Sequence, residues 1–256
     1  MILHRDQHLG PRSRKQPRSL WAAALALAGL GVLGLPAAFG AGAGPLLFLG
    51  DKDYPPVAYL EAGVAKGMDV DLAKSLGGPM NRDIRVELMD WDLAQQRVLQ
   101  GEADGLLGLS ISDERRKIYD FAAPTFTREF GLVVRKVEMT IRGEDNLRGK
   151  KVGVTPGGFP RKLLESKPGV LLIFIENYLD GLNRLAAGQI DAMAADLWVA
   201  AFLIEQNKVR GVTILAKPLA TAQGAIAVRK GNSALVAEIN RAILGLEGSG
   251  QIAAIQ

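Results

Sequence analysis

From Pro45 onward, short apolar runs alternate with stretches whose apolar positions recur every three or four residues. That rhythm predicts strands interleaved with amphipathic helices. Strands are expected over 45–49, 84–89 and 103–109, with a hairpin over 59–67. Helices are expected over 68–76, ended by Gly77-Gly78-Pro79, and over 93–100, closed by Gly101. A strand over 129–135 completes the first series. The second begins with a β-branched strand at 150–155 and a helix from Arg161. It continues with a strand at 170–175, a helix at 178–187 stopped by Gly188, a strand at 190–194 and a helix at 197–206. Strands at 212–216 and 225–229 precede a closing helix over 234–246, stopped by Gly248. Strands alternating with helices predict an α/β protein with largely parallel sheets. Gly101-Glu-Ala-Asp104 and Gly188-Gln-Ile-Asp191 each join a helix to a strand. The echo fits two similar lobes, each giving one wall of a cleft; it fits two ordinary helix-turn-strand units as well.

Residues before Pro45 break this rhythm. Arg12, Arg14, Lys15 and Arg18 form a basic stretch, and an apolar run follows from Leu20 to Leu35. The run is shorter than the roughly 20 residues a spanning helix needs. Ala41-Gly42-Ala43 fits the small-x-small cleavage pattern. Residues 1–43 therefore read as a signal peptide, or as an uncleaved anchor. Both place the remainder outside the cytoplasm, because the basic side stays in.

Composition then removes whole classes of chemistry. The chain has no Cys, and its two His are His4 and His8. Beyond residue 43, no Cys or His zinc site, Ser-His-Asp triad or Cys-His pair can form. No metal or cofactor is expected. Residues 1–43 hold five Lys/Arg and one acid of the chain's 31 and 27, so the remainder is balanced at 26 of each. The basic character belongs to the leading segment, and neither nucleic acid nor anionic lipid is expected as a partner.

Candidate chemistry concentrates in Leu106–Pro124, LLGLSISDERRKIYDFAAP. An apolar strand delivers Ser110 and Ser112 to its carboxyl end, and Arg115-Arg116 follows. Ligands of open α/β sheets sit beyond the carboxyl ends of strands. Hydroxyls and a fixed positive charge there suit one small anionic group. The competing reading leaves both arginines on a solvated helix face.

The ordered motifs Asp53-Tyr-Pro-Pro56, Gly67-Met-Asp-Val-Asp71, Trp91-Asp92, Gly101-Glu-Ala-Asp104, Ser110-Ile-Ser-Asp-Glu-Arg115, Asp120-Phe-Ala-Ala-Pro124, Leu147-Arg-Gly-Lys-Lys-Val-Gly-Val154, Gly188-Gln-Ile-Asp191 and Ala227-Val-Arg-Lys-Gly231 resemble the extracytoplasmic solute-binding proteins of family 3, the polar amino-acid type. The resemblance spans 46–256. It implies a type II periplasmic-binding-protein fold: two lobes, each a mostly parallel sheet flanked by helices, with a cleft between them. Lobe one would hold 46–134 and 224–256, lobe two 138–220, with hinges near 135–137 and 221–223.

Position by position, the resemblance implies that Arg115 grips a ligand carboxylate and Ser110 assists. Tyr54 and Trp91 would flank the ligand from loops, and Gly108 would let it approach the main chain. The Gly157-Gly158-Phe159 turn would offer backbone N–H groups, and Asp196 would pair with an α-ammonium. Asp196 also suits an N-cap for the helix at Leu197, and the two roles can coexist. The chain departs from the pattern at Phe159, where relatives carry Thr or Ser, and at Leu107, where many carry Ser. Both make the pocket less polar. The partners implied are a small amino-acid-like or carboxylate ligand and an ABC permease, with the protein a monomer. A sensor domain of a histidine kinase or diguanylate cyclase is the alternative, with the signalling domains on a longer chain. A dehydratase-like enzyme using a raised-pKa carboxylate ranks last, since Glu102, Glu114 and Glu129 all fall in polar contexts.

Overall fold

The computed structural model describes residues 44–255; the expected signal segment lies outside them. The first series comprises β1 (Leu46–Asp51), β2 (Asp53–Tyr54), β3 (Ala58–Glu61), β4 (Val64–Lys66), α1 (Met68–Ser75), α2 (Gly77–Met80), β5 (Ile84–Met89), α3 (Trp91–Gln100), β6 (Gly105–Ser110), α4 (Asp113–Arg116), β7 (Tyr119–Phe121) and β8 (Phe126–Arg135). The second comprises β9 (Lys151–Val154), α5 (Phe159–Leu164), β10 (Leu171–Phe174), α6 (Tyr178–Ala186), β11 (Ala192–Asp196), α7 (Leu197–Gln206), β12 (Val212–Ile214), β13 (Ala220–Arg229), α8 (Ser233–Gly248) and α9 (Gln251–Ile255).

Two parallel groups form the ends of one continuous sheet, ordered β10-β9-β11-β8-β13-β6-β1-β5. β1 lies parallel between β5 and β6, and β9 lies parallel between β10 and β11. The long antiparallel pair β8 and β13 joins the groups. β6, GLLGLS, lies parallel to β1 and antiparallel to β13, is covered on both faces and reads as a nearly unbroken apolar run, as a strand buried on both faces requires. β5 lies at the edge and alternates, turning Ile84, Val86 and Leu88 toward the core beside Leu46, Phe48 and Leu76. Separate apolar clusters pack each group. Leu49, Val98, Leu106 and Leu109 lie in one beside the first, and Val152, Val154, Leu132 and Ala192 lie in one beside the second.

β8 changes partners along its length. Phe126–Phe130 pairs with β13, while Phe130–Val134 pairs with β11. Its first half buries alternate residues: Arg128 and Phe130 are buried, while Thr127 and Glu129 are exposed.

Several boundaries differ from expectation, three of them at helices. Gly77-Gly78-Pro79 does not end the helical course. It forms the short helix α2, and the left-handed cap falls at Asn81 (φ 50°). α3 starts at Trp91, two residues early, so Trp91 opens a helix rather than standing on a loop. α8 runs through Gly248, and the left-handed turn comes at Gly250.

Candidate functional site

The carboxyl ends of the parallel strands converge between the two groups. β1 delivers Asp51 and then Tyr54. β5 gives way to Trp91, and β6 to Ser110 and the short helix bearing Arg115. From the other side come Thr155 after β9, the Gly157-Gly158 turn and Phe159. These walls enclose a cavity of about 50 Å³. Tyr54, Trp91, Gly108, Ser110, Arg115, Gly158 and Phe159 all line it.

Ser112 caps α4 by accepting the Arg115 N–H at 3.2 Å, which sets the helix and turns Arg115 inward. Arg115 is only 8% exposed, not on a solvated face; Arg116 is exposed. The Arg115 guanidinium donates to the Ser110 carbonyl at 2.9 Å and, across the cleft, to the Gly157 carbonyl at 3.1 Å. Phe159 covers it, with the guanidinium carbon 5.6 Å from the ring centroid. No carboxylate among the described residues pairs with it. Burial pulls its pKa down to about 10, the cost of a desolvated cation without a counter-ion.

Asp196 occupies a different place. Its Oδ1 accepts the Trp198 and Val199 N–H groups at 2.9 and 3.2 Å, which caps α7. Its Oδ2 accepts the Tyr54 hydroxyl at 2.8 Å and lies 3.5 Å from an Arg128 nitrogen. The carboxylate is 1% exposed and is not among the residues lining the cavity. The N-cap is thus plainly formed, and Arg128 is the cation beside it.

Arg128, Asp69 and Asp51 carry charge into this site without having been singled out from the sequence. Arg128 projects from β8 and also bonds Asp69 Oδ2 at 3.1 Å. Burial pulls the Arg128 pKa down, but Asp69, Tyr54 and Asp196 more than offset this and leave it raised. Asp69 lies in the first turn of α1 and lines the cavity; its Oδ1 is buried without a hydrogen-bond partner. Burial pushes its carboxyl up to about 6 against the pull of Arg128. Asp51 is half-buried, and burial pushes it up to about 7 against the Asp53 N–H. Gly108 is what lets the ion pair sit on β6. It has φ +59°, and a Cβ there would fall 1.9 Å from Asp69 Oδ2. The room that Gly108 leaves is filled by this pair, where close approach of a ligand had been expected.

The aromatic walls are fixed by polar contacts. The Tyr54 ring packs edge-on against Tyr178 at 5.5 Å, and the Tyr178 hydroxyl accepts the Asp196 N–H at 3.0 Å. Burial raises both phenol pKa values. Phe159 packs on Phe130 at 4.8 Å. The cleft therefore presents a cation at Arg115 and an apolar wall at Phe159, Phe130, Leu107 and Trp91.

A model of the bacterial extracellular solute-binding proteins, family 3, matches residues 46–256. This chain belongs to that family. One relative, the L-cystine-binding protein TcyJ of Escherichia coli (strain K12), is 30% identical over 216 residues, 83% of this chain and 81% of its own. Among solved structures, an ancestral arginine-binding protein bound to glutamine is 30% identical with a TM-score of 0.77, covering 83% of this chain and 96% of that one. A histidine kinase sensor domain with similarity to periplasmic binding proteins is 27% identical with a TM-score of 0.78, covering 82% and 93%. The fold is the two-lobed α/β arrangement of periplasmic binding proteins, and the relatives in this family are named for binding. No helix among the described residues is long and apolar enough to cross a membrane.

Proposed function

We propose that this family member binds a small amino-acid-like or carboxylate solute outside the cytoplasm, closes its two lobes on it and delivers it to an ABC permease. The observation that carries this reading is Arg115: a buried cation on the cleft wall, already oriented by two carbonyls, with no carboxylate partner among the described residues. A buried charge of this kind is costly until a counter-ion arrives, and a guanidinium suits a carboxylate's two oxygens. Ser110 assists at the same wall. Closure would pivot where β8 changes partners, at Phe126–Phe130, and at the facing Ala220–Gly224 of β13. We read the protein as a binder rather than an enzyme, in line with its relatives.

The second reading is a ligand sensor, favoured by the likeness to the histidine kinase sensor domain. Permease and ATPase genes beside this one would support delivery; a membrane span and kinase or cyclase domain on the same polypeptide would support sensing. The binding reading itself is tested by a thermal-shift screen of the twenty amino acids and small carboxylates, since a ligand selective for the folded state raises the melting temperature. Failure of every compound to shift it would remove the reading.

A further inference from the structure

Arg128 occupies the position of a resident cation. It sits between the carboxylates of Asp69 and Asp196, at 3.1 and 3.5 Å, and its guanidinium carbon lies 5.5 and 5.4 Å from the ring centroids of Tyr54 and Phe126. Two acids and two aromatic faces are what a bound ammonium or guanidinium ligand would seek. Here the protein's own side chain has taken them.

Asp196 shows the consequence. An ionised carboxylate offers about four lone-pair positions. Two backbone N–H groups, the Tyr54 hydroxyl and Arg128 claim all of them. An α-ammonium arriving in the cavity would have to displace a cap, a phenol or a buried guanidinium. Each displacement leaves a buried polar group unpaired, which is expensive.

We propose that Arg128 is a built-in counter-cation that replaces the ligand's ammonium, so that the solute is a carboxylate without an α-amino group, with an apolar body. The proposal rests on the reading above that Arg115 takes the carboxylate. The remaining walls agree with it. Phe159, Phe130, Leu107 and Trp91 are apolar. The other acids of the cavity, Asp69 and Asp51, are pushed up to about 6 and about 7, largely by burial. Their raised values weaken the pull of both acids on a cation.

Calorimetry and thermal shift on the full chain test this with matched pairs: phenylalanine against hydrocinnamate and phenylpyruvate, leucine against isocaproate, valine against isovalerate. In at least one pair the amine-free acid is expected to bind roughly tenfold or more tightly than its amino acid, the 1.4 kcal/mol of one decade. Arg128→Met should reverse that order by freeing Asp196, and Arg128→Lys should keep it. Should Arg128→Met fail to fold, the wild-type pairs decide alone. Amino acids binding as tightly as their amine-free counterparts, or more tightly, would overturn the role of Arg128 while leaving the carboxylate site intact. Binding of neither class would remove the carboxylate reading, and this one with it.

Discussion

At the scale of single residues, Arg115 and Arg128 divide the labour of one charge between an unpaired and a paired site. Replacing Arg115 with Ala should weaken binding of whichever acid the screen finds by about tenfold or more, some 1.4 kcal/mol, read by calorimetry. Unchanged affinity would take Arg115 out of the site. Asp196 makes a different prediction because it caps α7. Asn caps about as well as Asp, so Asp196→Asn should lose about 1 kcal/mol less stability in urea than Asp196→Ala. Equal losses would mean that the cap contributes nothing. Arg115 was legible because it follows a strand end and a capping Ser. Arg128 was not, because Thr-Arg-Glu reads as an exposed charged stretch. A usable signal was there: Phe126, Arg128 and Phe130 share one side of a strand with period two. Asp69 hid as an ordinary acid in a first helical turn, where it also suits the dipole.

At the scale of elements, the seat of α1 against β6 depends on one missing side chain. Gly108→Ala forces a left-handed residue to carry a Cβ and drives that atom into the Asp69 carboxylate. We expect a loss of about 2 kcal/mol or more in chemical unfolding, far above a surface Gly→Ala change such as Gly143, whose Cβ would meet nothing. A near-neutral Gly108→Ala would show that the ion pair shifts freely. Most elements were readable because strands and helices here carry clean periods. β5 and α7 fall on their expected spans, 84–89 and 197–206. β13 begins five residues before its expected start, because ATAQG has one β-branched residue, Thr221, among small and polar ones and none of the bulky residues that mark a strand. Pairing with β8, not its own composition, holds that half extended. The Gly77-Gly78-Pro79 break failed for a related reason: Pro is tolerated in the first turn of a new helix, and Met80 is drawn into the core.

At the scale of the whole molecule, two cavity acids set how the fold responds to pH. Asp51 and Asp69 both titrate above the ordinary carboxylate value of 3.8. Between that value and about 7, the folded chain holds protons that the unfolded chain has released, so this contribution to stability falls as pH rises through the window. Asp51→Asn mimics the protonated form. It should raise the melting temperature relative to wild type at about pH 8 and lose that advantage at about pH 4. An advantage independent of pH would place the Asp51 titration outside the window. The shared strand pair governs the rest, since β8 links the two parallel groups of the sheet and bears Arg128. Odd and even positions of its first half carry opposite signs: Arg128 turns in, Glu129 turns out. Slipping the ladder by a single step would exchange them and set a third anion among Asp69 and Asp196. The charge that β8 brings to the cleft is therefore a matter of parity, and an insertion of one amino acid before Arg128 would turn Arg128 and Phe130 out of the walls together and bring Glu129 in.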